Sequence, residues 1–455
     1  DKFLADGNFD KCKGRVVLHG NEQDPDMYPD RSSPTVAVHS IFACLTAAAY
    51  HGIREVAKID VKGAFIQTPM EGPPVYMRCN KELTKLIVKV YPHLQKFVSK
   101  CGYLYCRLLK ALYGCVQASK LWFDKLIKFL RKEGYEQSPI DPCVMRRVVD
   151  NKVWLLLIYV DDILVIADKD EIERLRAQFT EEFTWITMDV TVDMIHYIEK
   201  MLESVTKLEE SSVPANKNIF VVDEKSPLLP ELERKRFHTL VAKLLFLSKR
   251  ARPDISTSNG FLCTRVTKAT VEDKRKLFRL LGFLKRTKGR VLKLHPKDLA
   301  LLAYIDAAFA SHFDSKSHTG VAFFLGGALI FIASRKQKCV TKSPTESELV
   351  ALTDYIGLVE SFAEFIGFIT NSPVQIPVIY QDSTSVISLV TRGGGIVRTK
   401  HLRVRMNLCK EGVDQKKFRI VYVPTKRMIA DGCTKALEKR DFEVFMNCLL
   451  DGIEK

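Results

Sequence analysis

"LLLIYVDDILVIAD", residues 155–168, is a run of Leu, Ile and Val broken at its centre by two adjacent carboxylates, Asp161 and Asp162. Burying one unpaired carboxylate is costly, and two neighbours also repel. An Asp pair between strands is most often a solvated turn, but the flanking Tyr159, Val160, Ile163 and Leu164 supply no Gly, Asn or Ser for such a loop. The stretch therefore reads as two buried strands joined by a tight hairpin with acids at its tip. "REVAKIDVKGAFIQ", residues 54–67, runs apolar into Asp60, 101 residues before Asp161. Three carboxylates converging from strand ends would hold a pair of Mg²⁺ ions, which prefer oxygen ligands. Such a pair clamps the attacking and leaving oxygens of phosphoryl transfer.

Working outward, 455 residues at about 150 per domain suggest about three units. With 46% hydrophobic and 27% charged residues, the chain has ordinary globular composition. A net charge of +16 favours a polyanionic partner, nucleic acid by default; a merely basic surface is the alternative. Twelve cysteines without a Cys-x-x-Cys pair read as free intracellular thiols, not as a disulfide framework or zinc site. No stretch reaches the roughly 18 uncharged apolar residues of a membrane helix, so no membrane partner is expected. The chain opens at Asp1 without an initiator Met, and a piece of a longer product is the expectation.

Residues 1 to about 200 alternate apolar runs with amphipathic segments, as mixed α/β domains do. "LWFDKLIKFLRKEGY" (121–135) reads as a helix ending at Gly134, and "VWLLLIYV" (153–160) as a buried strand. "KLEESSVPANKN" (207–218) reads as a linker. From about 230 to 292 the pattern is helical: Phe237, Leu240, Val241, Leu244 and Leu245 share a face, as do Leu277, Leu280, Leu281 and Leu284. The second of these helices carries Lys274, Arg275, Lys276, Arg279, Lys285, Arg286, Lys288 and Arg290. That is either a solvated face or a surface that tracks a nucleic-acid backbone. Beyond residue 298 three strands, a helix near 346–369, the strand "PVIYQD", one helix and the strand "FRIVYV" describe a compact α/β domain.

"IDVKGAFIQTPMEGPPVYM", "CRLLKALYGCVQASKLWFDKL", "DPCVM" and "LLLIYVDDILVIADKDEIERL" together resemble the reverse transcriptase of copia-type LTR retrotransposons. "LVAKLLFLSKRARPDI" and "LFRLLGFLKRTKG" resemble that family's join between polymerase and RNase H. The resemblance implies an α/β (α+β) fold: a right-hand polymerase with fingers, palm and thumb, followed by a connection and an RNase H-like α/β domain. The implied divisions are fingers and palm over 1–212, a helical thumb and connection over 213–297, and the RNase H-like domain over 298–455. It makes Asp60, Asp161 and Asp162 the polymerase metal ligands, and Phe65 the aromatic gate under the incoming sugar. Gln117 falls beside the nascent base pair, and Lys13 and Arg15 where fingers residues meet the triphosphate. Mg²⁺, two ions per active site, or Mn²⁺ would serve as cofactor. The implied partners are dNTPs, an RNA or DNA template-primer and the RNA/DNA hybrid, inside a cytoplasmic virus-like particle or the nucleus.

Four downstream acids stand at element ends in the order of the RNase H carboxylates: Asp306, Glu348, Asp382 and Asp431. The resemblance makes them ligands of two further metal ions for hydrolysis of RNA in a hybrid, and His401 a substrate-side residue. Each acid has a local explanation of its own. Thr345 with Glu348 makes a capping box, Asp382 is placed to cap a helix, and Asp431-Gly432 reads as a turn. Departures from the family occur at His19, Ser119-Lys120, Ala308, Phe309 and Arg403, and residues 183–201 lack the expected glycine-containing strand. The rivals are a decayed remnant that only binds nucleic acid and an integrase-type nuclease; the vicinal Asp pair does not suit the latter.

Overall fold

Alternation with period two builds the first sheet. In β1 (Val56–Val61) Ala57, Ile59 and Val61 are buried, while Lys58 and Asp60 share the opposite, more open face. The computed structural model describes residues 2–3, 9–11, 16–28, 30–53, 55–183, 186–188, 194–205, 207–392 and 400–453. Two compact units divide the chain: Asp1–Val36, Glu55–Val149 and Trp154–Val190 form one, and Ala37–Arg54, Asp150–Val153 and Thr191–Lys455 the other.

The first unit carries a six-stranded sheet containing β1, β2 (Val144–Val149), β3 (Lys152–Tyr159) and β4 (Asp162–Ile166). β1 pairs with β4, and β4 with β3, all antiparallel; Ile186–Met188 and Glu136–Gln137 form the edges. Leu155 to Ile158 are all buried, so β3 is covered on both faces and reads as an unbroken apolar run. Helix α1 (Ala118–Lys132) buries Trp122, Phe123, Leu126, Ile127, Phe129 and Leu130, and the chain leaves it through Gly134 at φ +85°.

In the second unit the helical stretch and the C-terminal α/β region share one core. Helix α2 (Glu231–Ser248) buries Phe237, Val241 and Leu244 as its periodicity requires, while Leu245 is exposed. Helix α3 (Val271–Arg286) buries Leu277, Leu280, Leu281 and Leu284, and its Phe283 meets Phe442 edge to face at 5.4 Å. A fully buried Arg252–Asp254 pair also donates from Arg252 to the Thr287 carbonyl, which fastens the end of α3.

Several basic residues of α3 and of the turn after it have partners within the second unit. Lys274 pairs with Glu233, Arg275 with Glu272, Lys288 with Glu199 and Arg290 with Asp451. Lys276 is buried, donating to the Ile219 and Val221 carbonyls, and Lys285 donates to the Leu208 carbonyl. Lys274, Lys276 and Lys285 thus also fasten neighbouring segments, while Arg275 stays mostly exposed.

The C-terminal sheet contains β5 (Leu301–Ala308), β6 (His318–Leu325), β7 (Ala328–Lys336), β8 (Val378–Gln381) and β9 (Arg419–Tyr422), in the order β7-β6-β5-β8-β9. β5 is antiparallel to β6 and parallel to β8. Ligands in such sheets bind at the carboxyl ends of the strands where the order reverses, here β5 and β8. The 27-residue helix α4 (Pro344–Thr370) packs on β5. Two helices, α5 (Thr384–Arg392) and α6 (Lys400–Asp414), lie between β8 and β9 where one was expected. Among the described residues no helix is long and apolar enough to cross a membrane.

Candidate active sites

The hairpin brings the first three acids to one sheet end. Asp60 and Asp162 are direct partners in the β1–β4 ladder, which makes their side chains cross-strand neighbours. Tyr159 pairs with Asp162, leaving Val160 and Asp161 as the two-residue turn. The Val61 N–H donates to the Asp161 carbonyl at 3.2 Å, tucking the turn against β1. Lys58, two residues before Asp60 on the same face, places its Nζ 2.8 Å from Asp162 Oδ1. The hydrogen bond to Asp162, with the charges of Asp60 and Asp161 behind it, raises the Lys58 pKa. The donor set suits a hard divalent cation, and Lys58 supplies the positive charge that the three acids otherwise want.

Phe65 follows Gly63, whose φ of +68° makes the turn out of β1. Phe65 is half-buried, its ring 4.9 Å from that of Tyr113. Gln117 precedes α1 and is buried: its Oε1 accepts from Gln23 Nε2 at 3.3 Å, and its Nε2 lies 3.4 Å from Met70 Sδ. Lys13 and Arg15 lie outside the described residues, as does the side chain of His401 at the start of α6.

The second constellation is tighter. Asp306 leaves the end of β5, Glu348 the second turn of α4, and Asp382 directly follows β8. One oxygen from each lies within 4.8 Å of the others, the single such trio of potential ligands among the described residues. Asp431 opens a short helix, Asp431–Thr434, and pairs with Lys435 at 2.9 Å. Thr434 of the same helix donates from Oγ1 to Asp306 Oδ2 at 2.6 Å. Gly320 allows that approach. It stands opposite Asp306 in the ladder, and a Cβ there would meet the Ala430 carbonyl at 2.6 Å and Cys433 at 2.8 Å.

The local explanations of Glu348 and Asp382 are taken up by other residues. Helix α4 is capped by Ser343, whose side chain accepts from the Glu346 N–H, while Glu346 accepts from the Lys342 N–H. Glu348 is thus not the capping acid; it is buried and turned to the cluster. At α5 the Val386 N–H goes to Ser383 Oγ, whereas Asp382 accepts from Thr425 Oγ1 at 2.8 Å.

Burial drives the electrostatics. It pushes Asp306 up to about 7 against the Thr434 hydrogen bond, with Asp431 and Asp382 adding repulsion. It pushes Glu348 up to about 9, with Asp306 and Asp382 as further causes. Burial also raises Asp431, countered by Lys435. Crowded buried carboxylates with mutual repulsion are what a divalent cation relieves, so the residues present fit one.

These shifts carry a stability consequence. Glu348 keeps its proton in the folded state above about pH 4, where the unfolded chain has released it, so stability falls as pH rises towards about 9. His312 and His318 are held neutral by burial and act in the opposite sense at lower pH. The difference between variants isolates Glu348: in EDTA, Glu348→Gln should gain Tm over wild type increasingly from about pH 5 to about pH 9. A constant or shrinking difference in calorimetry contradicts the assignment.

Residues 4–199 match the family model described as reverse transcriptase (RNA-dependent DNA polymerase). The matched stretch is less than half of the chain. Over 97% of its length the whole chain is 28% identical to the Retrovirus-related Pol polyprotein from transposon TNT 1-94 of Nicotiana tabacum, of which it covers 34%. The chain spans about a third of the length of the curated relatives it matches. Among solved structures, it is similar to LC11-RNase H1 isolated from compost, at 14% identity over 30% of this chain and 92% of that one, with TM-score 0.24. Similarity to the native prototype foamy virus protease–reverse transcriptase covers 96% of this chain and 51% of that one, at 11% identity and TM-score 0.24.

The matched stretch holds Asp60, Phe65, Gln117, Asp161 and Asp162, and the other four acids lie downstream of it. Sequence reasoning missed three residues around them. Lys58 could have been found as a charge two residues from Asp60 on one strand face. Gln381, fully buried, accepts from the Asp382 and Ser383 N–H groups and donates to Glu348 Oε2 at 3.4 Å. Its signal is a polar residue ending the apolar strand just before Asp382. Thr434 had no signal in the sequence, because its contact with Asp306 spans 128 positions.

Proposed function

We propose that this chain is the RNA-directed DNA polymerase and ribonuclease H portion of a copia-type Pol polyprotein. The supporting observation is a close trio of carboxylates, Asp306, Glu348 and Asp382, downstream of a segment that matches the reverse transcriptase model and sets Asp60 opposite Asp162 beside the Asp161 turn. In this reading Asp60, Asp161 and Asp162 would hold Mg²⁺ for extension of a primer 3′-hydroxyl by dNTPs. Asp306, Glu348, Asp382 and Asp431 would hold it for hydrolysis of RNA in the resulting hybrid. Bound there, a metal pair supplies Lewis acidity toward phosphate oxygens and lowers the pKa of the attacking hydroxyl or water.

The protein's own residues do the positioning. Phe65, held by Tyr113 and the Gly63 turn, would lie under the incoming sugar and reject a 2′-hydroxyl. Gln117, fixed by Gln23 and Met70, would shape the pocket of the nascent base pair. Thr434 and Gln381 orient Asp306 and Glu348 by hydrogen bonds. Lys58 must yield Asp162 when a cation enters, or share it. The hybrid would be recognised through backbone and A-form shape rather than sequence.

Metal removal tests the chemistry. EDTA should stop both dNTP incorporation and RNA cleavage, and added Mg²⁺ should restore both. Either activity persisting in EDTA contradicts the metal assignment at that site.

A further inference from the structure

We infer that Trp122 is a positioning residue of the polymerase site, setting the direction of Asp161 through the backbone of the hairpin turn. This inference rests on the reading of Asp161 as a metal ligand and deepens it. The turn that carries Asp161 is unusual. Val160, its first central residue, has φ +58°, a conformation that Gly adopts freely and a β-branched residue rarely does. A Val in that conformation persists only when its surroundings hold it there.

Two contacts from outside the hairpin do so. The indole Nε1–H of Trp122 donates to the Val160 carbonyl at 2.7 Å, and the Val61 N–H donates to the Asp161 carbonyl at 3.2 Å. These carbonyls belong to the peptide groups on either side of Asp161, so both planes flanking that residue are held. With the planes held, the direction in which the Asp161 side chain leaves the turn is set. Trp122 is itself immobilised: it is 1% exposed, on the buried face of α1, with Phe183 edge-on at 5.3 Å. The indole has a single donor, and this donor goes to the turn rather than to its own helix.

Trp122→Phe keeps an aromatic ring and removes the donor. The expected result is a fall of about tenfold in kcat for dNTP incorporation, with unchanged template-primer Kd and unchanged hybrid cleavage by the same molecule. Mn²⁺ binding followed by electron paramagnetic resonance, in an Asp306→Asn background to silence the second cluster, should weaken in parallel. A Val160→Gly background removes the strain, so the effect of Trp122→Phe should shrink there; this pair also serves if Trp122→Phe alone folds poorly. Equal losses from Trp122→Phe with and without Val160→Gly would show that Trp122 is only core packing and overturn the inference. Wild-type incorporation and Mn²⁺ binding in Trp122→Phe would overturn it too. If wild type itself extends no primer, the polymerase reading fails, and the Mn²⁺ titration still decides whether Trp122 positions Asp161.

Discussion

Asp161→Asn is expected to lower dNTP incorporation about a thousandfold or more while RNA cleavage in a hybrid continues. Asn has the size of Asp and keeps the turn, whose carbonyls are held by Trp122 and by the Val61 N–H rather than by the carboxylate. What disappears is one negative charge at the turn beside the Asp60–Asp162 pair. Lys58 already neutralises Asp162, so loss of Asp161 removes a large share of the attraction for a cation. Primer extension and hybrid cleavage measured on one preparation give the answer. Incorporation within a few-fold of wild type would sink the assignment of the hairpin.

Glu348→Gln is the complementary expectation: RNA cleavage falls by a similar factor, while dNTP incorporation and helix content are kept. The structure makes the second half specific. Helix α4 starts on Ser343, which accepts from the Glu346 N–H, while the Glu346 carboxylate accepts from the Lys342 N–H, so Gln at 348 leaves the cap intact. By contrast, Ser343→Ala should cost about 1 kcal/mol of stability with cleavage retained. Loss of helical signal by circular dichroism in Glu348→Gln would return that residue to a structural role. Retained cleavage with an intact helix would remove it from the active site.

Much of the fold was legible because burial leaves periodic traces. The strands at 153–160 and beyond 298, the helix ending before Gly134 and the shared faces of Phe237 and Leu277 all come from local pattern. The acids were legible for the same reason, since a charge that interrupts an apolar strand stands out. Contacts over long sequence distance were not. The fate of the α3 cations depends on Glu199, Glu233 and Asp451, and no local pattern names those partners. A capping box at Thr345 and Glu348 fitted the sequence as well as the observed cap at Ser343 does. Only the start of α4, a shift of two residues, separates them. Nothing in the sequence singles out Trp122, because its N–H has meaning only beside the turn 38 positions away.

The central claim is that one chain polymerises DNA on RNA and then destroys that RNA. The direct measurement uses oligo(dT) carrying one label, annealed to poly(A) carrying another, with dTTP and Mg²⁺ and the wild-type chain. The account predicts primer elongation together with shortening of the RNA strand, the first lost in Asp161→Asn and the second in Glu348→Gln. A chain that binds the hybrid yet leaves both strands unchanged would contradict it and identify a silent nucleic-acid-binding remnant.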